Sequence, residues 1–396
     1  MAPPMKESDL EVLVSVFART DTGLKRPGNE DAFIVADLTS GNIGLSPDVS
    51  THHIGERGSL MVVADGMGGA AAGEVASEMA VKTVREVLIS SPPAPGICQQ
   101  LTRAVEIANE RIWNYAEQNQ KLSGMGATLT AVLVQSKYAY IAQVGDSRAY
   151  LARGNQIKQL TKDQSWAQAL IDAGAIQPDQ ASTVAQNVIM QALGTSPTIQ
   201  VAMTMVELFK NDLLILCSDG LSNKLSAGEI RDIAQKEQNL ASACAGLIGL
   251  ANERGGDDNI TVIVARFDGE ELHSAADSNS ITGSFKVLDH GCFGGDLSTL
   301  SDRFKALALN PDEQGAASTT LVLSRMQREA SGPPARVTLD ASRPTSIQNA
   351  EPSNQETVAS VGQVNYLIWA LALFVGLLLL AAAAYFVSVY ILKATH

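Results

Sequence analysis

"ATLTAVLVQSKYAYIAQVGD", Ala127 to Asp146, holds two β-branched, apolar runs separated only by "QSK". Each run reads as a strand. The link from Val134 to Tyr138 is far too short for a crossover helix, so the two strands pair antiparallel. The second run stops at Gly145 and Asp146, and a carboxylate closing a buried strand is costly unless something positive meets it. "VVADGMGG", Val62 to Gly69, repeats the problem: apolar residues run into Asp65 and then into a glycine-rich turn.

Outward from these stretches, residues 11–268 alternate between short runs such as "AFIVADL", "SLMVVAD", "DLLILCS" and "ITVIVARF" and longer helical stretches. The helical ones are "AGEVASEMAVKTVREVLIS", "QQLTRAVEIANERIWNYAEQ" and "LASACAGLIGLANER". Short links between strands and clustered helices predict an α+β layered sandwich.

The chain has 396 residues, 45% hydrophobic but only 5% aromatic, so its core rests on aliphatic side chains. A formal net charge of -13 argues against nucleic acid as the main partner, because phosphate backbones select basic faces. Cys98, Cys217, Cys244 and Cys292 show no CxxC spacing, which indicates neither a zinc cage nor a disulfide framework. A reducing cytoplasm suits them. The first eleven residues carry charges throughout and do not read as a secretory signal.

Residues 1–10 read as a flexible N-terminus, and past Asp268 the texture changes. Residues 269–365 are rich in Ser, Ala, Thr, Gly and Pro and lack Trp and Tyr, which predicts a mostly disordered linker reaching about 55 Å as a coil. Residues 366–392, "YLIWALALFVGLLLLAAAAYFVSVYIL", contain no charge and are long enough to cross a bilayer, with Tyr and Trp near both ends. A short tail, 393–396, follows. The expectation is a single-pass membrane protein inserted after translation, its catalytic domain in the cytoplasm. Lys393 beyond the span is a weak dissent from the positive-inside rule.

Acids gather at the ends of the apolar runs: Asp65, Asp146, Asp219, the pair Asp257 and Asp258, and Glu30 and Asp31. If these ends share one edge of the sandwich, the carboxylates oppose one another's ionisation and call for cations. All-oxygen ligands without His or Cys favour Mg²⁺ or Mn²⁺. Taken singly, an Asp before a Gly is ordinary turn punctuation.

In chain order, "RPGNED", "ADGMGG", "GATLT", "VGDSRAYL", "LTKDQS", "CSDGLS" and "GGDDNIT" resemble the type 2C family of metal-dependent Ser/Thr protein phosphatases in its bacterial form. The resemblance covers about Val14 to Phe267. It implies a four-layer α-β-β-α sandwich with two central, mainly antiparallel sheets and a two-ion Mn²⁺ or Mg²⁺ centre at one end. It implies that Asp65 bridges the ions, that the Gly66 carbonyl ligates one, and that Asp219 and Asp258 ligate the other. By the same resemblance Glu30 and Asp31 hold or orient bound water, Asp146 serves a third, weaker metal site, and Arg26 grips the substrate phosphate. The reaction implied is in-line hydrolysis of phosphoserine or phosphothreonine in proteins by metal-activated water, opposing a Ser/Thr kinase. No Walker-type GxxxxGK[ST] and no cysteine-based phosphatase loop is present.

Three departures stand out. Met67 and Ala70 occupy positions where some relatives carry a histidine acid, and His52 and His53, the only histidines of the region, read as a solvated loop pair. The stretch Asp163 to Pro197 resembles the family's mobile flap, opening on an amphipathic helix at Trp166, Leu170 and Ala173, yet Gln164, Thr183, Val184 and Gln191 replace its usual residues. Arg148 reads as a structural ion-pair partner, and Asn259 as orienting Asp258 or its turn. Two other readings compete: a catalytically inactive, membrane-tethered phosphoprotein-binding scaffold, and a hydrolase of another phosphate ester.

Overall fold

Strands covered on both faces read as nearly unbroken apolar text, and that is how most strands of this chain are placed. The computed structural model describes residues 12–42, 50–91, 96–184, 188–237, 239–274 and 281–288. All lie in the first of the two units into which the chain divides, Met1–Gly332 and Pro333–His396.

The strands are β1 (Val12–Asp21), β2 (Asp31–Asp37), β3 (Ser50–His53), β4 (Ser59–Met67), β5 (Gly126–Ala127), β6 (Leu129–Gln135), β7 (Tyr138–Val144), β8 (Arg148–Arg153), β9 (Gln156–Gln159), β10 (Ala202–Glu207), β11 (Leu213–Cys217), β12 (Ile260–Gly269) and β13 (Phe285–Leu288). One sheet has the order β3-β1-β12-β11-β8-β9 and the other β13-β10-β7-β6-β4-β2, with β5 paired to the end of β4. The pairings between these strands are antiparallel. The β6–β7 hairpin closes through Ser136 and Lys137, with Ser136 in the left-handed region at φ 50.

The helices are α1 (Ala70–Ser90), α2 (Ile97–Gln118), α3 (Trp166–Asp172), α4 (Asp219–Ser222), α5 (Ala227–Lys236), α6 (Leu240–Glu253) and α7 (Ile281–Ser284). Side chains of β4 alternate: Leu60, Val62 and Ala64 pack with α1 and α2, whereas Met61 and Val63 meet the other sheet. Cys217, Val262 and Val264 pack with α5 and α6 in the same way. The result is the α-β-β-α sandwich that the sequence led us to expect. Small residues Ala72, Ala76 and Ala80 let α1 approach its sheet closely.

Two expectations change. β12 runs through Asp268 to Gly269, and residues 281–288, inside the stretch read as linker, form α7 and then β13 on the edge of β10. The reason is packing: Ile281 is buried between the sheets, Phe285 packs beside it, and Leu288 packs on the other face of its sheet. Among the described residues no helix is long and apolar enough to cross a membrane; the 366–392 span lies outside them.

Candidate metal centre

Strand register builds the site first. Asp31 and Asp65 are direct partners in the β2–β4 ladder, so their side chains leave the sheet edge on the same face. Asp219 opens α4 straight after β11, and Asp258 precedes β12, which pairs with β11. The two sheets are tied there by hydroxyls: Asp31 Oδ2 accepts from Ser218 Oγ at 2.8 Å and Thr261 Oγ1 at 2.7 Å. Thr128 holds the other strand, its Oγ1 accepting from the Asp65 amide at 3.0 Å while its own amide donates to the Asp65 carbonyl.

Gly66 sits where only a glycine fits, because a Cβ would overlap the Gly73 backbone and the Glu30 carbonyl. Its amide donates to the Glu30 carbonyl at 3.1 Å. Glu30 projects its carboxylate against Gly73 of α1. Asn259 is a staple: its Oδ1 accepts from the Glu30 amide, and its Nδ2 donates to the carbonyls of Thr22 and Gly28. It therefore fixes the loop that carries Arg26 and Glu30, a wider task than orienting Asp258.

The electrostatics show how crowded the carboxylates are. Burial pushes Asp65 well above the ordinary carboxylate range, and Asp31, Asp219, Asp146 and Asp258 push it further. Burial takes Asp31 up to about 7 despite its two hydroxyl donors, with Asp219 and Asp258 adding to the rise. Asp146 is likewise pushed up to about 7, by burial and then by Asp219 and Asp163. Asp219 is raised by burial and by Asp258, and a side-chain hydrogen bond with Asp65 offsets part of the rise. Glu30 is raised mainly by burial.

Among the described residues no three acid, histidine or cysteine side chains close to chelating range. Hydroxyls, an arginine and one another occupy the acids instead. Arg26 Nη2 donates to Asp258 Oδ2 at 2.7 Å. A divalent cation nonetheless fits the donor set. Asp31 Oδ1 and Asp219 Oδ1 are buried with no hydrogen-bond partner, and the acids around them are oxygen donors that repel one another.

Asp146 lies to one side, lining with Arg148, Asp163, Ser165, Asp219 and Asn223 a hollow of about 190 Å³ beneath α3. Arg148 is an ion-pair partner: its Nε and Nη2 reach the Asp163 carboxylate at 3.0 and 2.6 Å. The flap's substituted glutamines form a network of their own. Gln164 Oε1 accepts from the Gly145 amide at 2.8 Å and from Gln191 Nε2 at 3.0 Å, tying the flap base to the loop before Asp146. His52 and His53 lie on β3 and not in a loop. His52 pairs with Val14 and bonds Ser59, six residues before Asp65 in β4, which places it about 20 Å from the acids. Neither histidine belongs to the site.

Sequence reasoning missed the hydroxyls that hold the acids, Thr128, Ser218 and Thr261. The signal was available in part, since each stands within three residues of a site acid or at its cross-strand neighbour.

A family profile described as protein phosphatase 2C matches residues 46–255. The serine/threonine phosphatase stp of Listeria welshimeri is 36% identical over 250 residues, which are 62% of this chain and 93% of that protein. The serine/threonine protein phosphatase PstP of Mycobacterium tuberculosis is 37% identical over 249 residues, 63% of this chain but 44% of that protein. The crystal structure of the PstP catalytic domain in complex with two manganese ions superposes with a TM-score of 0.54 at 34% identity, covering 65% of this chain and 99% of that one.

Proposed function

The chain belongs to the protein phosphatase 2C family, and we propose that it hydrolyses phosphoserine and phosphothreonine in proteins at a two-metal Mn²⁺ or Mg²⁺ centre. The observation that carries this reading is the convergence of Asp31, Asp65, Asp219 and Asp258 from separate strand ends onto one half-buried patch beside Arg26. The names of the relatives favour catalysis over a scaffold role, as does the presence of every acid of the constellation.

Asp65, Asp219, Asp258, Glu30, Asp31 and the Gly66 carbonyl would hold the two ions, and Asp146 a third, weaker one. Bound there, the ions supply an activated water nucleophile and neutralise charge on the phosphoryl oxygens. The chain's own part is positional. Arg26 presents a fork suited to two phosphate oxygens, and it must first give up Asp258. Thr128, Ser218 and Thr261 fix the acids so that little reorganisation remains. Met67 and Ala70 offer no proton, and His52 is too distant, so no side chain at these positions protonates the leaving alkoxide.

The membrane and signalling parts of the proposal rest on the sequence. Residues 366–392 anchor the chain, leaving the catalytic domain cytoplasmic to oppose a Ser/Thr kinase. Purified full-length protein should release phosphate from a phosphothreonine peptide only with Mn²⁺ or Mg²⁺. Turnover that survives EDTA or Asp219→Ala would refute the metal mechanism. A reporter fused after His396 should sit outside the cytoplasm, and a cytoplasmic signal would remove the anchor.

A further inference from the structure

Among the described residues three large hydrophobic side chains stand exposed: Leu24, Tyr115 and Val287. Tyr115 sits on α2 and Val287 on the edge strand β13, where single exposed apolar residues are ordinary. Leu24 differs in its position. At 68% exposure it lies two residues before Arg26, hence within about 7 Å of it along the chain.

The loop that displays Leu24 is held firmly. The amides of Leu24 and Lys25 both donate to the Gly256 carbonyl, at 2.8 and 3.2 Å. Asp21 Oδ1 accepts from the Gly23 amide at 2.9 Å and from Asn252 Nδ2 at 3.1 Å, and Asn259 grips the Thr22 carbonyl. A Cβ on Gly23 would overlap the Asp258 carbonyl, and one on Gly256 would press on the Leu24 side chain. Leu24 therefore lies across the turn that leads into Asp258. A loop backbone held in this way has already lost the freedom that binding would otherwise take from it.

The cations around it are already paired. Lys25 and Lys224 both pair with the single carboxylate of Asp257, beside Arg26, in a chain whose formal net charge is -13. Arg26 pairs in turn with Asp258, so among the described residues the rim holds no unpaired cation to draw an acidic side chain to Leu24. An extended peptide rises about 3.3 Å per residue and turns alternate side chains to one face. A phosphoresidue at Arg26 thus presents a side chain one or two positions away to Leu24, where an apolar group gains contact and a charged one loses water without a partner.

We propose that Leu24 is a specificity-determining residue, selecting phosphoserine or phosphothreonine peptides with an apolar side chain within two residues of the phosphate. This rests on the phosphatase reading above. The test uses full-length protein in detergent with Mn²⁺ and phosphothreonine heptapeptides of alanine, each carrying one leucine or one aspartate at a flanking position. The readout is the leucine-to-aspartate ratio of kcat/KM within each variant, which a general loss of active protein does not move. At one flanking position the ratio should be about ten in the parent chain, fall to near one in Leu24→Ala through KM, and persist in Leu24→Met. A ratio near one everywhere in the parent chain, or an unchanged ratio in Leu24→Ala, would overturn the assignment while leaving the phosphatase reading intact. Failure of the parent chain to hydrolyse either the peptides or p-nitrophenyl phosphate would overturn both.

Discussion

Asp31 and Asp65 face each other across a ladder, and neither is comfortable as an anion. Asp31 and Asp146 rise on folding from the ordinary 3.8 to about 7, so the folded metal-free chain binds protons that the unfolded chain releases. Their contribution to stability is complete below about pH 3.8 and is lost as pH climbs through about 7. With EDTA, the melting temperature should fall between pH 5 and pH 8; with saturating Mn²⁺, which binds the deprotonated acids, the fall should vanish. A Tm that is flat without metal would show that the acids are less crowded than their positions indicate. Asp65→Asn tests the same crowding, and should raise the metal-free Tm at pH 8 while abolishing the response to Mn²⁺. Thr261→Val removes a hydroxyl that orients Asp31, and calorimetry should show Mn²⁺ affinity lowered about 10–100-fold. At this scale the acids were legible because each interrupts apolar text. Thr128, Ser218 and Thr261 were legible only by their places beside the acids, since a hydroxyl in a strand or turn looks the same whether it supports a ligand or faces water.

Elements with a strong pattern were the easiest to foresee. The two-residue "SK" turn could only join antiparallel neighbours, and β6 and β7 are so joined. β3, β9 and β10 escaped notice because "STHH", "QIKQ" and "AMTMVE" are short and partly polar, as edge and near-edge strands are. One side chain ties several of these late elements together. Arg153, buried at the end of β8, pairs with buried Asp212 through Nη2 at 2.7 Å, reaches the Glu207 carbonyl at the end of β10, and donates to Ser284 of α7. Arg153→Met would strand the Asp212 carboxylate, at a cost of about 3–5 kcal/mol. Thermal unfolding should then come roughly 10 °C earlier. Limited proteolysis should also cut near residues 281–288 in the variant sooner than in the parent chain. Equal cleavage rates would show that α7 and β13 hold without Arg153.

For the whole molecule, the layered sandwich could be argued from antiparallel links and paired helices, but the assignment of each acid to a role came from the resemblance, because spacing alone does not say which strand ends meet. The point where the domain stops was misjudged for a related reason: "ITGSFKVL" has few apolar anchors, Ile281, Phe285 and Leu288, and their burial depends on partners far away in sequence. This placement of β13 bears on the protein's behaviour in concentrated solution. A chain ending at Asp268 would leave the outer edge of β10 bare, a row of unpaired amides and carbonyls open to the same edge on another copy. Light scattering should find residues 1–268 self-associating as concentration rises, whereas residues 1–288 stay monomeric. A few residues that take no part in the chemistry would then set whether the folded domain is colloidally stable.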